Sequence, residues 1–290
     1  AHGGGVEELT PDSEVDWRFT YFNTTYMSHH DIEILPNGNI LMLCQEYKDY
    51  NLVQLAGRKK NILTPNKGMA FDYIIEVKPI GDDRGIIVWE WHLWDHLIQE
   101  YDSTKYNYGV VKDHPELVDI NFLDDDFYNP LSFEQLTHMN NIDYNEELDQ
   151  IIISVALFSE FWVIDHSTTT YGASGHSGGR SGMGGDILYR WGNPQTYNMG
   201  TEEDQVLFEI HDAQWIEEGL PGEGNILVFN NGLTRPDGSY SSIHEIKPPV
   251  DNNGHYQLNS GQSFGPEESE WVYTADNPRD FYGNHLSGCQ

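Results

Sequence analysis

The sequence predicts an all-β protein, a β-propeller built of four-stranded antiparallel blades. Three observations carry this. A histidine-headed hairpin recurs, as HDIEILPNGNILMLCQEY from His30, HMNNIDYNEELDQIIISVALFSEFWVID from His138 and HDAQWIEEGLPGEGNILVFNN from His211. Each hairpin is followed by further apolar segments whose last member has one type, WEW at 89–91, LYRW at 188–191 and EWVY at 270–273. Turn residues punctuate the repeats, above all Asn37-Gly38, because both central residues of a tight hairpin must tolerate positive φ. Repetition of a single four-stranded sheet is the signature of a propeller, in which the first strand of every blade lines a central channel.

Taken in order, residues 1–13 are polar and Gly-rich and read as a flexible arm; 14–290 form the propeller domain. VDWRFTYF (15–22) alternates as a strand and reads as the last strand of one blade. The first full blade spans 30–94, with HDIEIL, NILMLCQEY, MAFDYIIEV (69–77) and IIVWEWHLW (86–94), a polar loop at 48–66 and a Gly81–Gly85 turn. Residues 95–129 are an insertion containing DHPELVDI and Asp124-Asp125-Asp126. The second blade, 138–192, holds HMNNIDYN, QIIISVAL, EFWVIDH and DILYRWG; the third, 211–275, holds HDAQWI, NILVFNN, SSIHEI and EWVYTA. HLSGCQ (285–290) resembles the opening of another blade. Three full blades and two fragments do not close a ring of about six. The expectation is that VDWRFTYF and HLSGCQ are strands paired partly with another subunit or with residues outside the 290, which leaves blade edges open to self-association.

Composition narrows the partners. Lys and Arg number 15 against 47 Asp and Glu, a formal net charge of -32. Such a surface repels nucleic acid and anionic membranes. It suits a salty exterior, and the chain opens at Ala1 as a processed secretory protein does, so a secreted, extracellular or periplasmic location is expected. No run of 18 apolar residues is present to insert into a membrane. Cys44 and Cys289 are too few for a disulfide framework and read as a buried thiol and a terminal one. Asn23-Thr24-Thr25 is a glycosylation sequon.

His30, His138 and His211 hold equivalent repeat positions, each just ahead of its turn, and equivalent first strands surround one axis. Histidine serves as nucleophile, general acid–base or metal ligand. Zinc suits three imidazoles, but no second-shell pattern is readable, so no metal ligand set is assigned. His244 in SSIHEI is a fourth candidate. His92 and His96 have i, i+4 spacing without the Glu of a metalloprotease motif, and read as a strand end and the start of a surface helix. YGASGHSGGRSGMGG (171–185) carries Arg180 and offers a backbone nest for an anion, but without strand–loop–helix context it reads first as a flexible interstrand loop. The acidic clusters 82–83 and 124–126 lack EF-hand spacing and read as solvated turns.

Several segments together resemble the arylsulfotransferase family, the PAPS-independent aryl-sulfate sulfotransferases. They are HHDIEILPNGNIL (29–41), HMNNIDYN (138–145), EFWVIDHSTTT (160–170), GGDILYRWGNPQTY (184–197), IHDAQWIEEGLPGEGNILVFNNG (210–232) and YSSIHEIKPP (240–249). The resemblance runs from about residue 14 to the end and implies a β-propeller. It implies transfer of a sulfuryl group from a small aryl sulfate to a phenol through a sulfo-histidine, with no nucleotide cofactor. His211 matches the family's sulfated histidine, His138 and Asn140 its H-x-N element, and His30 its earlier channel histidine. One departure stands out. The better-studied branch has an arginine after H-x-N that binds the sulfuryl group, and here Ala156 falls near that position in IIISVALFSE. Arg180, Arg190 and Arg235 are the candidate substitutes. A different class of reading competes, a non-catalytic extracellular propeller for adhesion or assembly; a third is a metal-dependent hydrolase or lyase using the histidines.

Overall fold

The computed structural model describes residues 3–59, 67–123 and 135–290. Alternating apolar strands fold it into three four-stranded antiparallel sheets, each ordered as in the sequence. The first holds β3 (Tyr26–Ile34), β4 (Ile40–Lys48), β5 (Met69–Ile80) and β6 (Arg84–His92); ahead of it lie β1 (Gly5–Leu9) and β2 (Val15–Thr20). Helix α1 (Tyr50–Leu55) follows β4, and β7 (Leu97–Ile98) pairs in parallel with β8 (Val118–Asp119) within the insertion. The second sheet holds β9 (Met139–Asn145), β10 (Gln150–Val155), β11 (Glu160–Asp165) and, after α2 (Thr170–Ala173), β12 (Ile187–Trp191). The third holds β13 (Ile210–Trp215), β14 (Ile226–Asn230), β15 (Ser242–Ile246) and β16 (Trp271–Tyr273). The protein is all-β, with the blade-like sheets that the repeats predict.

The first and second sheets are covered by apolar side chains on both faces and the third on the face it shares with the second, which is why their central strands read as apolar runs. Side chains alternate across a strand. Ile151 and Ile153 of β10 therefore enter a core shared with Leu41, Leu43, Ile74 and Trp91 of the first sheet. Ile152, between them, enters a second core with Ala213, Ile226, Val228 and Ile246 of the third. On the free face of the first sheet Trp17 of β2 packs with Met42, Cys44, Ile75 and Val77. The Trp17 indole donates to the Arg84 carbonyl at 2.9 Å.

VDWRFTYF holds a strand as expected, with a partner inside the chain, and the C-terminal strand does not form. Residues 5–9, read as part of a loose arm, form β1, and β1 is the antiparallel partner of β2 within the chain. HLSGCQ is not a strand; it lies along β13, where the Cys289 amide donates to Asp212 and the Cys289 carbonyl accepts from Gln214. Side-chain hydrogen bonds, not a β ladder, hold that tail. Cys44 and Cys289 are both free and buried. Of the acidic clusters, 82–83 sits in the β5–β6 turn, and 124–126 lies outside the described residues.

The insertion is fastened to the second sheet by Arg190, whose guanidinium is fully buried. It donates to Glu160 Oε2 from Nε at 3.0 Å and from Nη2 at 2.6 Å, and to the Pro115 and Leu117 carbonyls at 3.3 and 3.1 Å. It also lies against the Trp162 and Tyr197 rings. Removing one partner of such a pair strands a charge in the interior. Arg190→Met is therefore expected to destabilise the fold by about 3–5 kcal/mol in chemical denaturation, whereas an unchanged midpoint would show the pair to be dispensable.

Candidate active site

The first strands β3, β9 and β13 lie side by side, and each ladder is broken by a bulge. Register shifts fall between Ser28 and Ile32, opposite the Ser154–Val155 step, and between His211 and Gln214. One residue at or beside each bulge takes the left-handed conformation, His30 at φ 56°, His138 at φ 54° and Asp212 at φ 56°. A non-glycine residue held there costs of order 1–3 kcal/mol, and such strain concentrates at functional sites. The bulges re-aim the histidines out of the simple in–out alternation of a strand.

They bring His30 and His138 together edge to face, with ring centroids 4.7 Å apart. His29 joins them, its Nδ1 2.7 Å from His30 Nδ1. His29 Nε2 lies 3.0 Å from Asp72 Oδ1, close but off the line of a well-formed hydrogen bond. His211 lies near enough for a charge on it to disfavour one on His138, and the exposed His285 acts likewise on His211.

Partners assign the tautomers. His138 Nδ1 is 2.7 Å from Gln135 Oε1, and His211 Nδ1 is 2.7 Å from Asn231 Oδ1. The Asn231 amide is oriented by its own donation to the Gly283 and Leu286 carbonyls, so Oδ1 faces His211 as an acceptor. Both imidazoles thus carry hydrogen on Nδ1 and a lone pair on Nε2. For His30 the same follows if His29 turns its Nε2–H toward Asp72, because His29 Nδ1 then accepts from His30 Nδ1. The outcome is three imidazoles pinned by Nδ1 with Nε2 left basic.

Burial and mutual repulsion keep them neutral. Burial, then His29 and His138, lowers His30 to about 3. Burial lowers His138 to about 4, with Asp72 opposing and His29 and His211 assisting. Burial also lowers His211, against its bond to Asn231. For Asp72 burial pulls upward, but His29, Thr137 and the Met139 amide outweigh it and hold the carboxyl below its usual value.

The sequence model of one family, Arylsulfotransferase (ASST), matches residues 18–259. The chain belongs to that family. No curated protein matches it. For an arylsulfotransferase the substrates implied are aryl sulfates and phenols.

The other candidate residues have partners of their own. Asn140, 7% exposed, donates Nδ2 to the Ile210 carbonyl at 2.8 Å, one residue before His211, and its Oδ1 is buried without a partner. Arg180 is exposed and leans on Asp149 at 3.8 Å. Arg235 is 3.2 Å from Asp237, stacks on Tyr240 and donates to Ser242, whose hydroxyl also meets His244 at 2.8 Å. Among the described residues no hydrogen bond or ion pair joins these arginines, His244 or Arg190 to His30, His138 or His211. Ala156 is buried beside the site, its amide donating to the His138 carbonyl at 3.3 Å.

Sequence reasoning missed His29, Asp72, Gln135 and Asn231 as partners. Asp72 left a trace, a carboxylate inside the apolar strand MAFDYIIEV. Gln135 and Asn231 left none, because only the fold brings them to an imidazole.

His30 and His138 bind protons more weakly in the folded chain than in the unfolded chain, where their value is near 6.5. Their contribution to stability is therefore complete above about pH 6.5 and is lost as pH falls toward 4. Histidine NMR of the folded protein is expected to show three imidazoles that stay neutral down to about pH 4, His30, His138 and His244, the first two assigned through His30→Gln and His138→Gln. Titration of His30 and His138 near 6.5 would contradict the packing described.

Proposed function

We propose that the protein moves a sulfuryl group from an aryl sulfate to a phenolic acceptor through a sulfo-histidine on His211. The observation that carries this is the pinned, neutral imidazole group, because a nucleophile at sulfur needs a free lone pair. In the first half-reaction His211 Nε2 forms a bond to sulfur as the sulfur–aryl oxygen bond breaks. The aryl oxide leaves with that electron pair and takes a proton from His138 or His30. A bound sulfate ester favours protonation of those imidazoles, since its negative charge offsets the burial that otherwise keeps them neutral. In the second half-reaction the acceptor phenol gives its proton to the same imidazole and attacks sulfur. The Nε2–S bond breaks and its electron pair returns to His211. The proton then serves the next leaving group, so the cycle balances.

Charge on the sulfuryl oxygens falls to the imidazolium forms and to the remaining N–H of Asn140. No arginine is proposed for that role, given where Arg180, Arg190 and Arg235 are engaged. That same observation supports the second reading, an arylsulfotransferase-fold propeller without turnover, used for adhesion or assembly.

The two separate on one set of measurements with a nitrophenyl sulfate. Catalysis predicts that His211→Ala abolishes transfer and that His138→Ala slows it by roughly 10² to 10⁴. It also predicts that donor alone leaves one sulfuryl group on His211, seen by peptide mass. Wild-type protein showing neither turnover nor labelling would establish the non-catalytic reading.

A further inference from the structure

Away from the His30, His138 and His211 group, His96, His176 and Asp186 converge where the first and second sheets meet. His96 closes the 3₁₀ turn that follows β6, Asp186 immediately precedes β12, and His176 lies in the Gly-rich segment between them. His96 Nδ1 is 2.8 Å and His176 Nδ1 2.7 Å from the same oxygen, Asp186 Oδ1. The three donor atoms lie within 4.8 Å of one another.

The surroundings hold these groups in place. His96 is fully buried, and its ring stacks on Trp91, 5.5 Å between centroids and 6° between planes. Its Nε2 is 2.9 Å from the Ala173 carbonyl. A carbonyl only accepts, so Nε2 carries hydrogen and the neutral ring has its lone pair on Nδ1, facing Asp186. A metal-binding histidine is oriented in this way, with its distal N–H on a backbone carbonyl. Asp186 is 5% exposed. The Gly-rich segment, read as a flexible loop, is folded back on itself by amide bonds from Gly184 to Gly178 and from Gly185 to Gly175. At Gly185 a Cβ would sit 2.0 Å from the Ala173 oxygen and 2.8 Å from His96 Nε2, so only glycine allows the approach. The Trp91 indole closes the contact with a 2.6 Å bond to the Gly185 carbonyl.

We infer that His96 Nδ1, His176 Nδ1 and Asp186 Oδ1 bind a zinc-class divalent transition metal that clamps the Gly-rich segment of the second sheet to the end of β6. Two imidazole nitrogens meet one carboxylate oxygen at 2.8 and 2.7 Å, three metal-donor atoms gathered within 4.8 Å of one another. Two imidazoles and one carboxylate select zinc or cobalt over magnesium or calcium, which take oxygen donors. The His176 side chain is 60% exposed, which leaves a fourth position open to water. This site is independent of the sulfuryl-transfer reading, since it shares no residue with it.

The test is titration of chelator-treated protein with zinc chloride and, separately, cobalt chloride. Expected are one zinc bound per chain at this site and visible d–d absorption with cobalt. A hundredfold excess of zinc over Kd is expected to raise Tm by about 5 °C. His176→Ala alters an exposed side chain that the fold does not need, and is expected to weaken zinc binding at least about tenfold and remove the cobalt bands. Asp186→Asn gives the same loss. His211→Ala serves as control and is expected to leave both signals intact. Absence of zinc binding, or binding that survives His176→Ala and falls with His211→Ala, would overturn the assignment.

Discussion

The structure depends on how the backbone of the three first strands is satisfied where their ladders are broken. A bulge aims a histidine at the cost of a ladder hydrogen bond, and a buried amide without a partner is costly. Along the same edge the neighbouring blade supplies acceptors, within the bulge for Ala213 and beside it for Ile142 and Trp215, which stay in register. Asp31 accepts from the Ile142 amide at 3.1 Å, Asp143 from the Trp215 amide at 2.8 Å, and the Ser154 hydroxyl from the Ala213 amide at 2.9 Å. Asn141 lies between, donating to Asp31 at 3.2 Å and Asp212 at 3.5 Å. Each blade thus completes the next, and the histidines inherit their positions from a seam of polar side chains.

That seam carries its own electrostatic cost. Burial, followed by nearby carboxylates, pushes Glu33 to about 7. Burial pushes Asp143 to about 6, against the amides of Trp215 and Tyr144. Acidic groups so close to the site work against an anionic ester unless positive charge arises locally. In the proposed transfer, imidazoles that take up protons when the donor binds meet that need without a permanent cation. Ala156 and the three engaged arginines fit that proposal, in which charge is made on demand.

Histidine does three different jobs in this fold, set by its neighbours. His30, His138 and His211 are half-buried beside one another and kept neutral. His166 is also half-buried, and that burial pulls it down, yet Asp149 and Glu76 outweigh it and raise it to about 9. His96 has acceptors at both nitrogens, and the second of them, Asp186, is shared with His176. The residue type is constant, and the hydrogen-bond partners decide the chemistry.

The sequence by itself determined the strands, their grouping into three four-stranded sheets and the family, because alternation and turn chemistry are local. It also marked His30, His138 and His211 by their repeat position. It misjudged the arm, where β1 is too polar to announce itself, and HLSGCQ, whose likeness to a blade opening is overridden by side-chain contacts to β13. Only the tertiary structure decided that His29 and Asp72 stand behind His30, that Arg190 fastens an insertion, and that His96 turns from His92 toward His176. His92 and His96 separate because a strand ends between them and a 3₁₀ turn begins, so the i, i+4 spacing never reaches a helix. Their partners, Glu46 for His92 and Asp186 for His96, lie in different sheets. Contacts between residues distant in sequence leave no periodicity to read, so they belong to the folded chain alone.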